Sequence, residues 1–126
     1  MDPMVAGTHL GAFLPTKDFA LSRRFYETLG FANHATGDEV ALFDTGAGTI
    51  ILTRTYDEKW VGAFMIAIRV DDLAAWWARI ERADLPGRFG VPAPRPPARQ
   101  PWGIEVAYVV DPAGVLIHFQ QNSAAA

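Results

Sequence analysis

Along the first half of the chain, the spacing of apolar residues is typical of a β-strand in some segments and of an α-helix in another. Residues 10–14 form a short apolar run closed by Pro15, which is typical of a β-strand. A helix is predicted over residues 19–29, because apolar side chains follow at helical spacing, Asp18 can cap its start and Gly30 can end it. Three further strands are predicted over residues 31–34, 39–43 and 49–53. The predicted order is βαβββ.

The second half repeats this order. A strand is predicted over residues 64–70, and a helix capped by Asp72 follows and ends near Ala83. The last two strands are predicted over residues 104–110 and 115–120. A repeat of this length indicates two half-domains that share one core rather than a solenoid. We therefore expect a single domain over residues 1–126, with one module at about 8–55 and the other at about 62–121.

A proline-rich connection precedes the final hairpin. Residues 87–101 contain five prolines, at positions 92, 94, 96, 97 and 101. Proline has no N–H to donate to a neighbouring strand, so this segment is expected to be a loop or an edge strand. Long connections often carry function, so a role over a binding site stays open alongside a purely connecting one.

Composition narrows the class of protein. The chain has 126 residues, half of them apolar, which is enough for one well-packed core. A net charge of −3 with scattered arginines argues against a nucleic-acid partner. No apolar run approaches the roughly 20 residues of a membrane span, so no membrane partner is expected. The absence of cysteine fits a cytoplasmic location and excludes disulfides, thiolate chemistry and cysteine-bound zinc.

Five short motifs, taken in order, resemble the vicinal oxygen chelate superfamily, which includes glyoxalase I, extradiol dioxygenases and the bleomycin-resistance proteins. They are Leu14-Pro15 with Lys17-Asp18, the helix end Phe25-Tyr26-Glu27-Thr28-Leu29-Gly30-Phe31, Val70-Asp71-Asp72-Leu73, Pro101-Trp102-Gly103 and Asp111-Pro112-Ala113-Gly114. The resemblance implies an α+β fold in which two tandem βαβββ modules form a curled mixed sheet around a cavity. It also implies that two copies often pair as a homodimer.

The resemblance further implies four inner strand positions where many members hold a divalent metal. Here they fall on Gly11, on Ile51 or Leu52, on Met65 and on His118. Only His118 is a good ligand for such an ion, so we expect no metal and no cofactor. A displaced site stays open as an alternative, because His9 lies two residues before Gly11 and could join His118 and Glu105.

His118 has three interpretations. An imidazole within an apolar strand is either a hydrogen-bonded structural residue, a catalytic acid or base, or a neutral group that contacts a ligand. We keep it as the candidate catalytic residue, and the sequence leaves open whether the protein is an enzyme at all.

Aromatic side chains are the other candidates for a binding site. Flat aromatic faces bind planar or cationic molecules by stacking and quadrupole attraction. The candidate ligand-binding residues are Trp60, Phe64, Trp102, Tyr108, His118 and His9. Trp76 and Trp77 are adjacent on a helix and point about 100° apart, so at most one faces the core squarely, and core packing is favoured over ligand contact. Arg54 and Arg69 either pair with carboxylates outside or point inward to hold an anion, and the sequence does not choose.

Two functions from different classes follow. The first, which the missing ligand positions favour, is a metal-free protein that binds a small hydrophobic or planar molecule in an aromatic-lined cavity, as in the bleomycin-resistance members. The alternative is a metal-dependent lyase, isomerase or dioxygenase that uses His9 and His118. Both predict a small-molecule partner and a homodimer.

Overall fold

A computed structural model describes residues 5–61 and 63–122. The first module contains β1 (Gly11–Pro15), α1 (Phe19–Leu29), β2 (Ala32–Thr36), β3 (Val40–Asp44) and β4 (Thr49–Thr53). A short helix, α2 (Glu58–Val61), connects the modules. The second module contains β5 (Met65–Val70), α3 (Leu73–Ala83), α4 (Leu85–Phe89), β6 (Arg95–Arg99), β7 (Glu105–Val110) and β8 (Leu116–Gln121). The predicted α+β class and the repeated βαβββ order are confirmed.

The strands form two four-stranded mixed sheets within the described residues. Sheet A has the order β1-β4-β3-β2, and sheet B has the equivalent order β5-β8-β7-β6. The first strand of each module pairs in parallel with the last one, and the other neighbours are antiparallel. The two sheets do not close into a barrel, so each keeps one open face.

Both long helices have the ends that their sequences predict. Asp18 Oδ1 accepts a hydrogen bond from Leu21 N at 3.1 Å at the start of α1, and Gly30 ends it with φ 96°. Asp72 Oδ1 accepts one from Ala75 N at 3.0 Å and so caps α3. These bonds satisfy amides that have no partner inside a helix. The helices bury one face of each sheet.

Two elements go beyond the sequence pattern. The pattern treats Pro86 as a breaker, but Pro86 lies in the first turn of α4, where its missing N–H costs no hydrogen bond. Asp84, with φ 47°, ends α3 and accepts a bond from Gly87 N at the start of α4. The proline-rich segment forms β6, an edge strand with irregular pairing between Arg95 and Ala98. This agrees with the edge-strand alternative.

A buried polar pair joins the two modules. Tyr26 on α1 donates its hydroxyl hydrogen to Asp111 Oδ2 at 2.6 Å, across 85 positions of sequence. Asp111 Oδ1 accepts from Ala113 N and Val115 N in the turn between β7 and β8. The same carboxyl group thus shapes a turn of the second module and holds a helix of the first.

The helices offer no membrane-spanning segment: among the described residues none is both long and apolar enough to cross a bilayer.

Candidate functional site

The open faces of the two sheets carry unusually exposed apolar side chains. Side chains alternate between faces along a strand, so those that do not meet the helices point away from the core. Phe13 on sheet A is 64% exposed, and Met65 on sheet B is 56% exposed. Their strand neighbours Leu14 and Ile66 point toward the helices, and Leu14 is fully buried. The open faces are therefore apolar surfaces that residues 5–61 and 63–122 leave uncovered.

A cavity of about 470 Å³ opens beside the end of β1, and we call it the Trp60 cavity. Its walls are Phe13, Leu14, Pro15, Thr53, Thr55, Asp57, Trp60 and Phe64. The volume lies within the roughly 300–1,000 Å³ of small-molecule sites, and the walls have the usual mixture of many apolar groups and few polar ones. Among the described residues of this wall, Asp57 alone is charged.

Helix α2 positions the tryptophan of this cavity. Asp57 starts the helix, because its Oδ1 accepts a hydrogen bond from Lys59 N at 2.9 Å. Val61 is buried in the core, whereas Trp60 beside it is 73% exposed. Phe64 is half-buried, and its carbonyl accepts from Leu116 N at 3.1 Å. Trp60 is thus presented to solvent from an anchored segment, which is the arrangement an aromatic ligand contact needs.

Tyr108 and His118 form a second aromatic group on the open face of sheet B. They are cross-strand neighbours on β7 and β8, and their rings lie edge to face with centroids 4.7 Å apart. Neither His118 nitrogen has a hydrogen-bond partner among the described residues. Burial lowers the pKa of His118, which favours the neutral imidazole. Both nitrogens are buried, so a ligand could reach them only after the surrounding side chains move.

The remaining two candidates lie apart from the Trp60 cavity. His9 precedes β1, and its Nε2 is 2.7 Å from Thr49 Oγ1. Trp102 lies in the turn between β6 and β7 and is 56% exposed. Neither side chain belongs to the cavity wall. The structure therefore groups Trp60 with Phe64, and Tyr108 with His118, but does not gather all six candidates in one cavity.

The positions at which the superfamily holds metal can now be placed. Leu52 is fully buried, so the position on β4 falls on Ile51, which shares the open face with Gly11. The carboxylate suggested for the displaced alternative, Glu105, can also be placed. Tyr108 is the residue of β7 level with His118, and Glu105 lies three positions before it, so Glu105 projects from the other face of β7. Residues 5–61 and 63–122 contain no cluster of three His, Cys, Asp or Glu side chains suited to a metal.

Sequence reasoning missed Phe13, Asp57 and helix α2. Phe13 belongs to a short apolar run, and such a run does not tell which of its members face the helices. Helix α2 has four residues, too few to show a period. The available signal is Asp57 followed two residues later by an amide that it caps, a pattern that is common in loops.

The fold defines a class of protein that is built from paired βαβββ modules. Residues 8–119 match the model of the glyoxalase/bleomycin resistance protein/dioxygenase superfamily, and the chain belongs to that family.

Similar proteins are known by sequence and by structure. A bleomycin resistance protein from Klebsiella pneumoniae is 29% identical over 120 residues, which cover 86% of this chain and 88% of the relative. The crystal structure of a bleomycin-binding protein complexed with bleomycin has a TM-score of 0.78 and 27% identity, over 94% of this chain and 100% of the other. An antibiotic-binding protein from a Streptomyces species has a TM-score of 0.71 and 26% identity, over 96% and 100%.

Proposed function

We propose that this protein binds a small hydrophobic or planar molecule in the Trp60 cavity, without a metal and without converting the ligand. The observation that carries the proposal is the wall itself, where Phe13, Trp60 and Phe64 surround about 470 Å³. Stacking on such rings contributes on the order of 1 kcal/mol for each ring beyond the area that is buried. A flat molecule gains most from this arrangement.

The relatives support binding as the function. One is described as a resistance protein for bleomycin, one was crystallised with bleomycin, and a third is described as an antibiotic-binding protein. We infer for this chain the same kind of role, namely sequestration of a planar or partly aromatic small molecule. The modest net charge of −3 favours a ligand that is held mainly by apolar contacts.

The other candidates complete the proposed site. Tyr108 and His118 offer an aromatic surface on the open face of sheet B, with both His118 nitrogens buried and without a partner among the described residues. Trp102 and His9 are proposed as outer contacts for the parts of the ligand that leave the cavity. We also propose that residues 1–126 act as one domain and that a second copy covers the open faces in a homodimer. Exposed Phe13 and Met65 are the observation that motivates this cover.

The test is to titrate the protein with candidate ligands and to follow binding by tryptophan fluorescence and by calorimetry. Bleomycin and a flat polycyclic antibiotic are the probes, with wild type, Trp60→Leu and Trp60→Phe as the proteins. We expect saturable binding by wild type, a loss of roughly tenfold in affinity for Trp60→Leu, and recovery of most affinity in Trp60→Phe. Equal affinity in all three proteins would remove the Trp60 cavity from the proposal.

A further inference from the structure

The wall of the Trp60 cavity is built from two separate parts of the chain. Strands β1 and β4 supply one part, which includes Phe13, whereas Trp60 lies on α2 and Phe64 directly precedes β5. The Phe64 amide donates to the Val61 carbonyl at 3.1 Å, so Phe64 is tied to α2. The position of both rings relative to Phe13 therefore depends on what holds α2 and the start of β5.

The turn between β7 and β8 holds both of them. A Cβ added at Gly114 would lie 3.8 and 3.9 Å from the two methyl groups of Val61, so this buried valine packs directly on the glycine. The Leu116 amide, just after the turn, donates to the Phe64 carbonyl at 3.1 Å. Val61, Gly114 and Leu116 lie outside the cavity wall, so they act on a bound ligand only through the residues that they hold.

Asp111 fixes the shape of that turn. Its Oδ1 accepts from the amides of Ala113 and Val115 at 2.8 and 2.9 Å. Its main-chain carbonyl accepts from the Gly114 amide at 3.0 Å. The other carboxyl oxygen accepts from the Tyr26 hydroxyl on α1 at 2.6 Å. One buried residue thus holds Gly114 in place and ties the turn to the module that supplies the rest of the cavity wall.

We propose that Asp111 is a positioning residue for the Trp60 cavity. Its carboxyl group holds the turn against Val61 and so fixes Trp60 and Phe64. A flat ligand that meets fixed rings binds more tightly than one that must first order them, because ordering side chains and loops opposes binding. This inference rests on the proposed function of the cavity and assigns part of its affinity to a residue that the ligand does not touch.

The first test compares Asp111→Ala and Asp111→Asn with wild type. Each protein is shown to be folded by circular dichroism and is titrated with a flat polycyclic antibiotic in a calorimeter. Asp111→Asn keeps an oxygen that accepts from the turn amides, so it is the conservative variant. We expect Asp111→Ala to lose roughly tenfold in affinity, and Asp111→Asn to stay within about twofold of wild type.

A second readout reports on Trp60 in the absence of ligand. The chain has four tryptophans, which fluorotryptophan labelling makes visible by fluorine NMR. Trp60→Leu and Trp102→Leu identify the resonances of the two exposed ones. We expect Asp111→Ala to shift or broaden the Trp60 resonance and to leave that of Trp102, in the turn between β6 and β7, unchanged.

A matched pair of valine variants tests the contact between the turn and α2. Val61→Ala removes the methyl groups that pack on Gly114 and keeps every wall residue. Val91→Ala is the control, because Val91 is buried to the same degree, 7% exposed against 6%, and lies outside the wall. We expect Val61→Ala to weaken antibiotic binding about fivefold and to move the Trp60 resonance, and Val91→Ala to do neither.

The inference is overturned if Asp111→Ala binds as tightly as wild type, if its Trp60 resonance stays in place, or if Val91→Ala weakens binding as much as Val61→Ala. Should Asp111→Ala not fold, Tyr26→Phe takes its place, because it removes the bond between the turn and α1 and should move the Trp60 resonance too. A wild type that binds no planar ligand refutes the proposed function instead, and the Trp60 resonance then decides the inference alone.

Discussion

At the scale of single residues, Ser22 is a buried polar group without a partner. Its side chain is fully buried on α1, and its Oγ has no hydrogen-bond partner among the described residues. A buried hydroxyl that lacks a bond is destabilising, and alanine is also the better helix former. We expect Ser22→Ala to raise the free energy of unfolding by about 1 kcal/mol in urea denaturation.

Thr28→Ala in the same helix is the matched control for that change. Thr28 is half-buried, and its hydroxyl donates to the Arg24 carbonyl at 2.7 Å, so its removal reports mainly the gain in helix propensity. A Ser22→Ala protein no more stable than the control would mean that the Ser22 hydroxyl is satisfied in solution.

Asp111 is the second residue whose substitution should have a large effect on the free energy of unfolding. Asp111→Ala leaves the Tyr26 hydroxyl and the amides of Ala113 and Val115 without their acceptor, all of them in or beside the core. Unsatisfied buried groups cost about 1–3 kcal/mol each, so we expect a loss of about 3 kcal/mol or more. Asp111→Asn keeps the oxygen that accepts from both amides and should lose less than half of that. Equal losses in the two variants would contradict this assignment.

The buried pair of Asp111 and Tyr26 should also make the free energy of unfolding depend on pH in a defined direction. Burial raises the pKa of Asp111 above its ordinary value of 3.8, and this outweighs the hydrogen bonds that lower it. Between 3.8 and the raised pKa the folded state binds the proton more tightly than the unfolded state does. The stability that wild type holds over Asp111→Asn should therefore fall as the pH rises from about 4 to about 7. A difference that grows over this range would show that the pKa is lowered instead.

At the scale of elements, the end of α1 depends on Gly30. Its φ of 96° is in the left-handed region, and a Cβ there would overlap Arg79 Nη1. Arg79 also bonds the Leu29 carbonyl at 3.4 Å and lies over the Trp76 ring. We expect Gly30→Ala to lower the free energy of unfolding by about 2 kcal/mol, from backbone strain plus the displaced arginine.

Gly46→Ala separates the two contributions. Gly46 has a similar φ of 86°, but a Cβ there would meet open space. We expect Gly46→Ala to lower the free energy of unfolding only by the backbone strain, about 1 kcal/mol. Equal costs at the two glycines, measured by thermal and urea denaturation, would show that Arg79 adapts freely.

The long helices and most strands could be predicted from sequence because their caps and periods are local. Helix α1 has the predicted bounds Phe19–Leu29, and β4 the predicted bounds Thr49–Thr53. Helices α2 and α4 could not be predicted, because four or five residues show no period and Pro86 reads as a breaker. The irregular pairing of β6 depends on its neighbour β7, which local patterns do not describe.

At the scale of the whole molecule, only part of the candidate site could be predicted from the sequence. Trp60 and Phe64 are close in the chain, so their grouping in one cavity follows from local structure. Phe13 joins them through the sheet, over more than 40 positions of sequence, and Trp102 does not join them. Such a grouping depends on strand order, which the superfamily resemblance gives only in outline.

The uncovered open faces give an expectation about assembly. We expect the protein to sediment at twice its chain mass of 13.8 kDa. Met65→Lys introduces a charge on the exposed face of sheet B and should shift the protein toward the monomer, with unchanged helical content by circular dichroism. Sedimentation of the wild type at the monomer mass, at micromolar concentration, would argue against a second copy as the cover.

The most direct test of the central claim is to measure binding and turnover of the same ligand in the presence and absence of a chelator. Wild type and His118→Ala are titrated with bleomycin and a flat polycyclic antibiotic. The ligand is then recovered, and its mass is measured by mass spectrometry to detect any conversion. We expect equal affinity with and without chelator, unchanged ligand, and only a modest loss of affinity in His118→Ala. Chelator-sensitive binding, or a modified ligand whose formation stops in His118→Ala while affinity persists, would show an enzyme instead.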